Sequence, residues 1–402
     1  MLCWALGFVG RLKGFGVADQ IIYLDHHAHT PIDPAVRTVL SAAYDTYDVN
    51  PHAGSRASED ARQVIEGART AVAGLLGAAP ADVIFTSGAT ESNNLAVQGV
   101  AAHLLRQGRR KVIVSAAEHA SVLSAAEALG PEFVVVQAPL RRTGEIDLEA
   151  LERLATPDTG LISIAAANHE IGTLQPLAAI AAIAAGRGAL FHSDLAQAFG
   201  KTALDLTGVH LASVTAHKLY GPLGVGALMA RRPVRRILQP IVCGGGQEGG
   251  LRSGTLSAPL CVAFGAACDL AAAGYQEEEA RLRGLRADLL ARLEAQVELR
   301  VNGGLESRLA GNLNLRFPGV DAEALVMRLR DRVVVATGSA CRTRALEPSH
   351  VLAALGLTLP EAESSIRIGL GRSTTNAEVV RAADAIAAAV TELRAVRQRA
   401  RA

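Results

Sequence analysis

The stretch Val83-Ile84-Phe85-Thr86-Ser87-Gly88-Ala89-Thr90-Glu91-Ser92 decides the fold. An apolar run stops at small residues, and a helical pattern follows at once. Strand, tight turn and helix form the repeating unit of a parallel sheet wrapped by helices. Small residues let the backbone approach a ligand closely. The free N–H groups and dipole of a helix start favour an anion there. Ala89 and the hydroxyl of Thr90 stand at that start, so the turn reads as a phosphate cradle. Taken alone, an ordinary capped helix start accounts for it as well.

The same alternation runs outward from about Ile21 to Ala230. Upstream, Ser58 reads as the cap of a helix with apolar positions Ala61, Val64, Ile65, Ala68, Val72, Leu75 and Leu76, stopped at Gly77. Downstream, strands are expected at 111–115, 133–137, 161–166, 189–192, 213–215 and 226–229, with helices at 91–107, 121–129 and 177–185 between them. A glycine-rich stretch, 243–254, interrupts the pattern. A helical segment over about 260–296 follows, then strands at 312–317, 332–336 and 365–369 and helices at 322–330 and 377–397. The expected organisation is a leader of unknown role over 1–20, a large α/β domain over 21–260, and a smaller α+β domain over 261–402. The first residues of the large domain are placed to pack with the small one.

A chain of 402 residues suits one large and one small domain. Half the residues are hydrophobic and 20% are charged, which favours a packed core over disorder. The 40 Lys+Arg nearly cancel the 39 Asp+Glu, which argues against bulk electrostatic binding of nucleic acid. No run of about 18 uninterrupted apolar residues suggests a membrane span. The apolar start precedes Arg11 and Lys13, whereas a secretory signal places its basic residues first. The five cysteines (Cys3, Cys243, Cys261, Cys268, Cys341) are odd in number and form no CxxC pair. That suits a reducing, cytoplasmic setting and disfavours disulfide or zinc frameworks.

Ligands of such sheets bind at the carboxyl ends of the strands. After 111–115 comes His119, placed to stack on a flat cofactor or to move protons, or simply structural. After 189–192 come Asp194 and Gln197. A carboxylate there can pair with a protonated ring nitrogen, or cap a helix. After 213–215 come Ala216-His217-Lys218 and a Gly/Pro turn. Only four of the 40 basic residues are lysines (Lys13, Lys111, Lys201, Lys218), and arginine cannot form a Schiff base. Lys218 is therefore the Schiff-base candidate. Cradle, ring partner, stacker and amine make up the kit for pyridoxal phosphate.

Several motifs resemble the cysteine desulfurases of the NifS/IscS group, class V aminotransferase-like enzymes of fold-type I. They are Tyr23-Leu24-Asp25-His26-His27-Ala28, Thr86 to Asn94, Asn168-His169-Glu170-Ile171-Gly172 and His217-Lys218-Leu219-Tyr220-Gly221-Pro222. Gly244-Gly245-Gly246-Gln247-Glu248, Leu251-Arg252-Ser253-Gly254-Thr255 and Gly338-Ser339-Ala340-Cys341 complete the set, in family order. The resemblance covers about Ile21 to Leu393. It implies a homodimeric, pyridoxal phosphate-dependent enzyme. Lys218 would carry the cofactor, His119 stack on it, Asp194 pair with its ring nitrogen and Gln197 touch its phenolic oxygen. Thr90, Thr215 and His217 would hold the phosphate, with Thr255 arriving from the partner subunit. Asn168 and Arg367 would bind the substrate carboxylate, a group that the arginine fork matches. Cys341, in a Gly/Ser/Thr/Arg-rich segment read as a mobile loop and flanked by Arg342 and Arg344, would take sulfur from L-cysteine as a persulfide. Alanine leaves, and the sulfur passes to acceptors such as an iron–sulfur scaffold. No resident metal is implied, though Cys341 could contribute to a cluster during transfer, and neither nucleic acid nor membrane is an expected partner. The sequence departs from the family pattern at His29, His169, Ala216, Gly249, Arg342 and Arg344. The alternatives are another class V enzyme, a selenocysteine lyase or an aminotransferase, and a non-catalytic scaffold.

Overall fold

The computed structural model describes residues 21–338 and 349–399. The leader, Cys341, Arg342 and Arg344 lie outside the described residues.

After a short strand, β1 (Ile22–Tyr23), seven strands build the large sheet. They are β2 (Val83–Thr86), β3 (Lys111–Ser115), β4 (Val134–Ala138), β5 (Thr159–Ser163), β6 (Leu190–Asp194), β7 (Leu211–Thr215) and β8 (Gly226–Ala230). Their order is β2-β8-β7-β6-β5-β3-β4. Only β8 runs against the rest: it pairs antiparallel with β2 and β7, and the other pairs are parallel. Strands buried on both faces read as continuous apolar runs, and neighbouring residues go to opposite sides. Phe85, Ile113, Phe191 and Val214 pack with helix Arg56–Leu75 and helix Leu177–Gly186. Ile84, Val112 and Leu228 pack with helix Ala89–Gly99 and helix Ala120–Glu127.

The second part holds β9 (Arg300–Val301), β10 (Asn312–Arg316), β11 (Val333–Val334), β12 (Ala336–Thr337) and β13 (Ser365–Gly369). β12-β13-β10-β9 form an antiparallel sheet, and β11 pairs in parallel with β1. Ile22 and Leu24 therefore sit in the core made by Phe317, Ile366 and Ile386. The 37-residue helix Ala258–Glu294 belongs to both cores. Cys261, Phe264 and Cys268 face the first, and Leu282, Leu285, Leu289 and Leu293 the second. Its length and composition would let it cross a membrane, but these residues are core contacts.

Some local expectations change. The cap of helix Arg56–Leu75 is Ser55, whose Oγ accepts from the Ser58 N–H at 3.2 Å, and Ser58 is buried in the first turn. The expected helix over 91–107 is two helices, Ala89–Gly99 and Ala101–Arg106, meeting at Val100. The strand expected over 332–336 splits at Val335, because β11 joins β1 while β12 joins β13.

The glycine-rich stretch is anchored by one buried ion pair. Glu248 receives Arg69 Nη1 at 2.7 Å and Nη2 at 2.8 Å, and accepts the Phe85 N–H at 2.7 Å. Removing Glu248 leaves the buried Arg69 guanidinium with only the exposed Glu66 beside it. Glu248→Ala is expected to lower unfolding free energy by ~3–5 kcal/mol in urea melts. Asp60→Ala, which breaks the exposed Arg56–Asp60 contact, is expected to stay within ~0.5 kcal/mol.

Candidate active site

A cavity of about 350 Å³ opens where β2, β6 and β7 end, a volume that suits a small-molecule site. Thr90, His119, Asp194, Thr215, Lys218 and Arg367 all line it.

The cradle is built by the turn after β2. Gly88 adopts φ +151°, a conformation that favours glycine, and a Cβ there would stand 3.6 Å from Thr215 Oγ1. No side chain caps helix Ala89–Gly99, so its first N–H groups point free into the site with the positive end of the dipole. His217 lines the same region with its Nδ1 buried and without a partner among the described residues. Such orphaned donors and a side-chain-free turn are what a phosphate group would fill.

The ring region is a hydrogen-bonded chain. Asp194, the last residue of β6, is buried. Its oxygens accept from Asn93 Nδ2 at 2.7 Å and from the Ala196 N–H at 2.8 Å. Asn93 Nδ2 also reaches Ser121 Oγ at 2.8 Å, and Ser121 Oγ lies 2.8 Å from His119 Nδ1. His119 caps helix Ala120–Glu127, its Nδ1 accepting from the Ser121 N–H. Burial pushes the His119 ring below the usual imidazole range while Asp194 pulls the other way. The ring is therefore neutral at neutral pH. Lys218 follows β7 in a short turn and donates from Nζ to the His27 carbonyl oxygen at 3.0 Å. His27 Nδ1 lies 3.1 Å from Gln197 Oε1, and Gln197 Nε2 donates to the His27 carbonyl oxygen at 2.9 Å. One backbone carbonyl thus places both Lys218 and Gln197.

Arg367, in β13, faces the cavity from the second sheet. Nη2 donates to Asp25 Oδ1 at 2.7 Å and Nη1 to the His169 carbonyl oxygen at 2.9 Å. Nε is buried and unpartnered among the described residues. A carboxylate ligand would meet a guanidinium already held in orientation.

Asn168 stands apart. Its Nδ2 donates to the Ala117 carbonyl oxygen at 2.8 Å, and its Oδ1 accepts the N–H groups of Glu170 and Ile171 at 2.8 and 2.9 Å. Its side chain shapes the turn, while the neighbours Ala167 and His169 line the cavity. Thr255 is exposed and lines no part of the cavity within the single chain. Ala89 and Gln197 do line it. Sequence reasoning missed Asn93, Ser121, His27 and Asp25 as partners. Ser121 lies two residues from His119 and Asn93 three from Thr90, and that proximity was the available signal.

A family model described as aminotransferase class-V matches residues 22–381. The chain is 43% identical over 388 residues to "Cysteine desulfurase, mitochondrial" of Arabidopsis thaliana, covering 95% of this chain and 85% of that one. It is 41% identical over 378 residues to "Cysteine desulfurase IscS" of Rickettsia bellii (strain OSU 85-389), covering 93% and 92%. A solved structure titled "NIFS-LIKE PROTEIN" superposes with a TM-score of 0.86 at 33% identity, covering 93% of this chain and all of that one.

Buried imidazoles around the site make stability depend on pH. Burial pushes His192, between Ser163 Oγ and Ser213 Oγ, down to about 4, and His26 down to about 3. The unfolded chain then binds more protons than the native one below about 6.5. Stability is full above that pH and falls as pH drops toward about 4. His192→Gln is expected to flatten this slope by ~1.4 kcal/mol per pH unit, read from urea melts at a series of pH values.

Proposed function

The chain belongs to the aminotransferase class-V family, and on that premise we propose that it is a pyridoxal phosphate-dependent cysteine desulfurase. It takes sulfur from L-cysteine, releases L-alanine, and leaves a persulfide on Cys341 for acceptor proteins such as an iron–sulfur scaffold. The observation that carries this reading is one cavity holding an uncapped helix start, Lys218, Asp194 and an oriented Arg367.

The residues fit the cofactor. The N–H groups after Gly88, the hydroxyls of Thr90 and Thr215, and His217 take the phosphate. Asp194 would pair with the ring nitrogen, His119 would stack on the ring and Gln197 would serve the phenolic oxygen. When bound, pyridoxal phosphate supplies an electron sink for the substrate Cα. Lys218 Nζ, held beside the site by the His27 carbonyl, would be the residue that holds the cofactor and would move the proton at the substrate Cα. Arg367 takes the substrate carboxylate. In this reading Asn168 acts indirectly, by fixing the turn whose His169 carbonyl orients Arg367. The Cys341 thiolate forms a bond to the substrate sulfur as that sulfur's bond to Cβ breaks, and the electron pair leaves toward Cβ, which is protonated to the methyl of alanine.

On this reading residues 21–260 hold the cofactor, while 261–402 supply Arg367 and Cys341. Two copies pair so that Thr255 of each completes the other's phosphate site, and the enzyme works in a reducing compartment.

Peptide mass spectrometry after brief exposure to L-cysteine and alkylation tests the reading. A one-sulfur increase on the Cys341 peptide, absent in Lys218→Ala, is expected. Unmodified Cys341 in cofactor-loaded protein would sink the mechanism. Arg367→Ala is expected to raise KM for L-cysteine ~10–100-fold, the scale of lost charge-assisted hydrogen bonds.

A further inference from the structure

A run of hydrogen bonds beside the cavity fixes the place of one proton. It begins at a group that can only donate. The Ser121 backbone N–H donates to His119 Nδ1 at 3.2 Å. A ring nitrogen that receives an N–H does so with its lone pair, so Nδ1 carries no proton. Ser121 Oγ lies 2.8 Å from the same Nδ1. With Nδ1 an acceptor, the Ser121 hydroxyl is the donor of that contact.

The far end of the run agrees. Asp194 is buried, and its two oxygens accept from Asn93 Nδ2 and from the Ala196 N–H. A carboxylate that accepts on both oxygens requires Asn93 to present its amino group there, not its carbonyl. The second proton of that amino group goes to Ser121 Oγ at 2.8 Å. Asn93 is fully buried, and its Oδ1 has no partner among the described residues, so the amide is oriented from its amino side alone. Asn93 therefore gives to Asp194 and to Ser121, and Ser121 gives to His119.

A neutral imidazole keeps one proton, and with Nδ1 an acceptor that proton is on Nε2. Two effects keep the ring neutral. Burial lowers its pKa, Asp194 opposes the shift, and Lys218 and His350 add to it. His119 also caps the start of helix Ala120–Glu127, where the dipole disfavours a cation. The ring of His169, edge-on at a centroid distance of 5.3 Å, is held neutral by burial as well.

We propose that Ser121, oriented by Asn93, is a positioning residue that holds His119 as its Nε2–H tautomer, so that the ring offers the cavity a hydrogen-bond donor and no base. The tautomer follows from the chain's own contacts, and its role in the reaction rests on the desulfurase reading. Nε2 already holds a proton, and Nδ1 is occupied by two donors. Neither nitrogen is open to the proton that leaves the substrate Cα. That proton goes to the lone pair of Lys218 Nζ, which lines the same cavity. A histidine acting as general base would need a ring nitrogen free of donors and facing the ligand. A neutral histidine at a helix start acts instead as a donor to an electron-rich atom of the ligand.

Full-length protein loaded with pyridoxal phosphate and carrying nitrogen-15 histidine tests this. Proton–nitrogen correlation spectra separate protonated from unprotonated ring nitrogens, and His119→Gln identifies the His119 signals among the 11 histidines. The parent is expected to show an unprotonated Nδ1 and a protonated Nε2 at neutral pH. A proton on Nδ1 would overturn the proposal. Ser121→Ala removes the hydroxyl donor and keeps the backbone one. Its ratio of Nδ1–H to Nε2–H is expected to rise about three- to tenfold, the scale of one neutral hydrogen bond, and Ser121→Thr is expected to restore the parent signal. An Nδ1 signal unmoved in Ser121→Ala also overturns the proposal. Should that variant fail to fold, the parent spectrum decides alone. Exchange of the L-alanine Cα proton with deuterated water reads proton transfer apart from sulfur chemistry. Lys218→Ala is expected to abolish the exchange, while His119→Gln stays within about a hundredfold of the parent, since losing a general base costs about 10²–10⁴-fold. A larger loss in His119→Gln that still shows the cofactor's visible absorption would make His119 the proton carrier and end the proposal. The tautomer is read on His119 and the desulfurase reading on sulfur at Cys341, so the two fail separately.

Discussion

Gly226, the first residue of β8, lies so close to the turn after β2 that a Cβ on it would stand 2.6 Å from Gly88 Cα and 2.5 Å from the Val214 carbonyl oxygen. The other functional positions follow from this contact. β8 is the one strand that runs against the sheet, and it lies between β2 and β7. Its start therefore adjoins the ends of both neighbours. One end carries the uncapped helix and Thr90, and the other carries Thr215, His217 and Lys218. A side chain at Gly226 would collide with both the turn after β2 and the end of β7. The cavity is thus set by backbone packing before any functional side chain is considered, which agrees with the close-packed character of such interiors.

A second constraint ties the two sheets across the cavity. Asp25 follows β1, pairs with Gly369 at the end of β13, and binds Arg367 at 2.7 Å. The pair is buried on the arginine side, with side-chain exposures of 3% and 15%. Burial pushes the Asp25 carboxyl up, and Arg367 pulls it back down. Because β1 also pairs with β11, the N-terminal segment belongs structurally to the second core. The arginine that faces the large-sheet site is therefore aimed by residues from the opposite end of the chain.

Strand positions were legible in the sequence because apolar runs ended at turn residues. Val83–Thr86, Lys111–Ser115 and Ser365–Gly369 stand where the pattern put them. That Lys218, Asp194 and His119 would gather around one cavity was legible for the same reason, since strand ends are where such sheets open their clefts. What was not legible depends on contacts far apart in the chain. Ser55 and Ser58 are equally good caps by residue type, and only the geometry chooses Ser55. Val335 divides a run that reads as one strand, because its two halves find different partners. Asn168 reads as a ligand by its motif, yet its Nδ2 bonds the Ala117 carbonyl and its Oδ1 accepts from the turn it shapes. The contact of Asn93 with Asp194 joins positions 101 residues apart, and no local pattern encodes such a distance.

The imidazoles explain how the site keeps few charges in a crowded space. Burial lowers His26, His27, His119, His169 and His217 below the ordinary range, so these rings are uncharged at neutral pH. Charged side chains near the cavity include Lys218, Arg367, Asp194, Asp25 and Glu91, the last paired with Arg252, and each has a named partner. The neutral rings pack among these charged groups: His27 supplies the carbonyl under Lys218, His169 the carbonyl under Arg367, and His119 lies at the end of the chain from Asp194. Charged rings in those places would add like charges beside Lys218 and Arg367, which low-dielectric surroundings make costly. Neutral histidines thus perform two tasks at once. They orient the charged groups through their backbone carbonyls, and they fill the remaining volume without adding like charge beside Lys218 and Arg367.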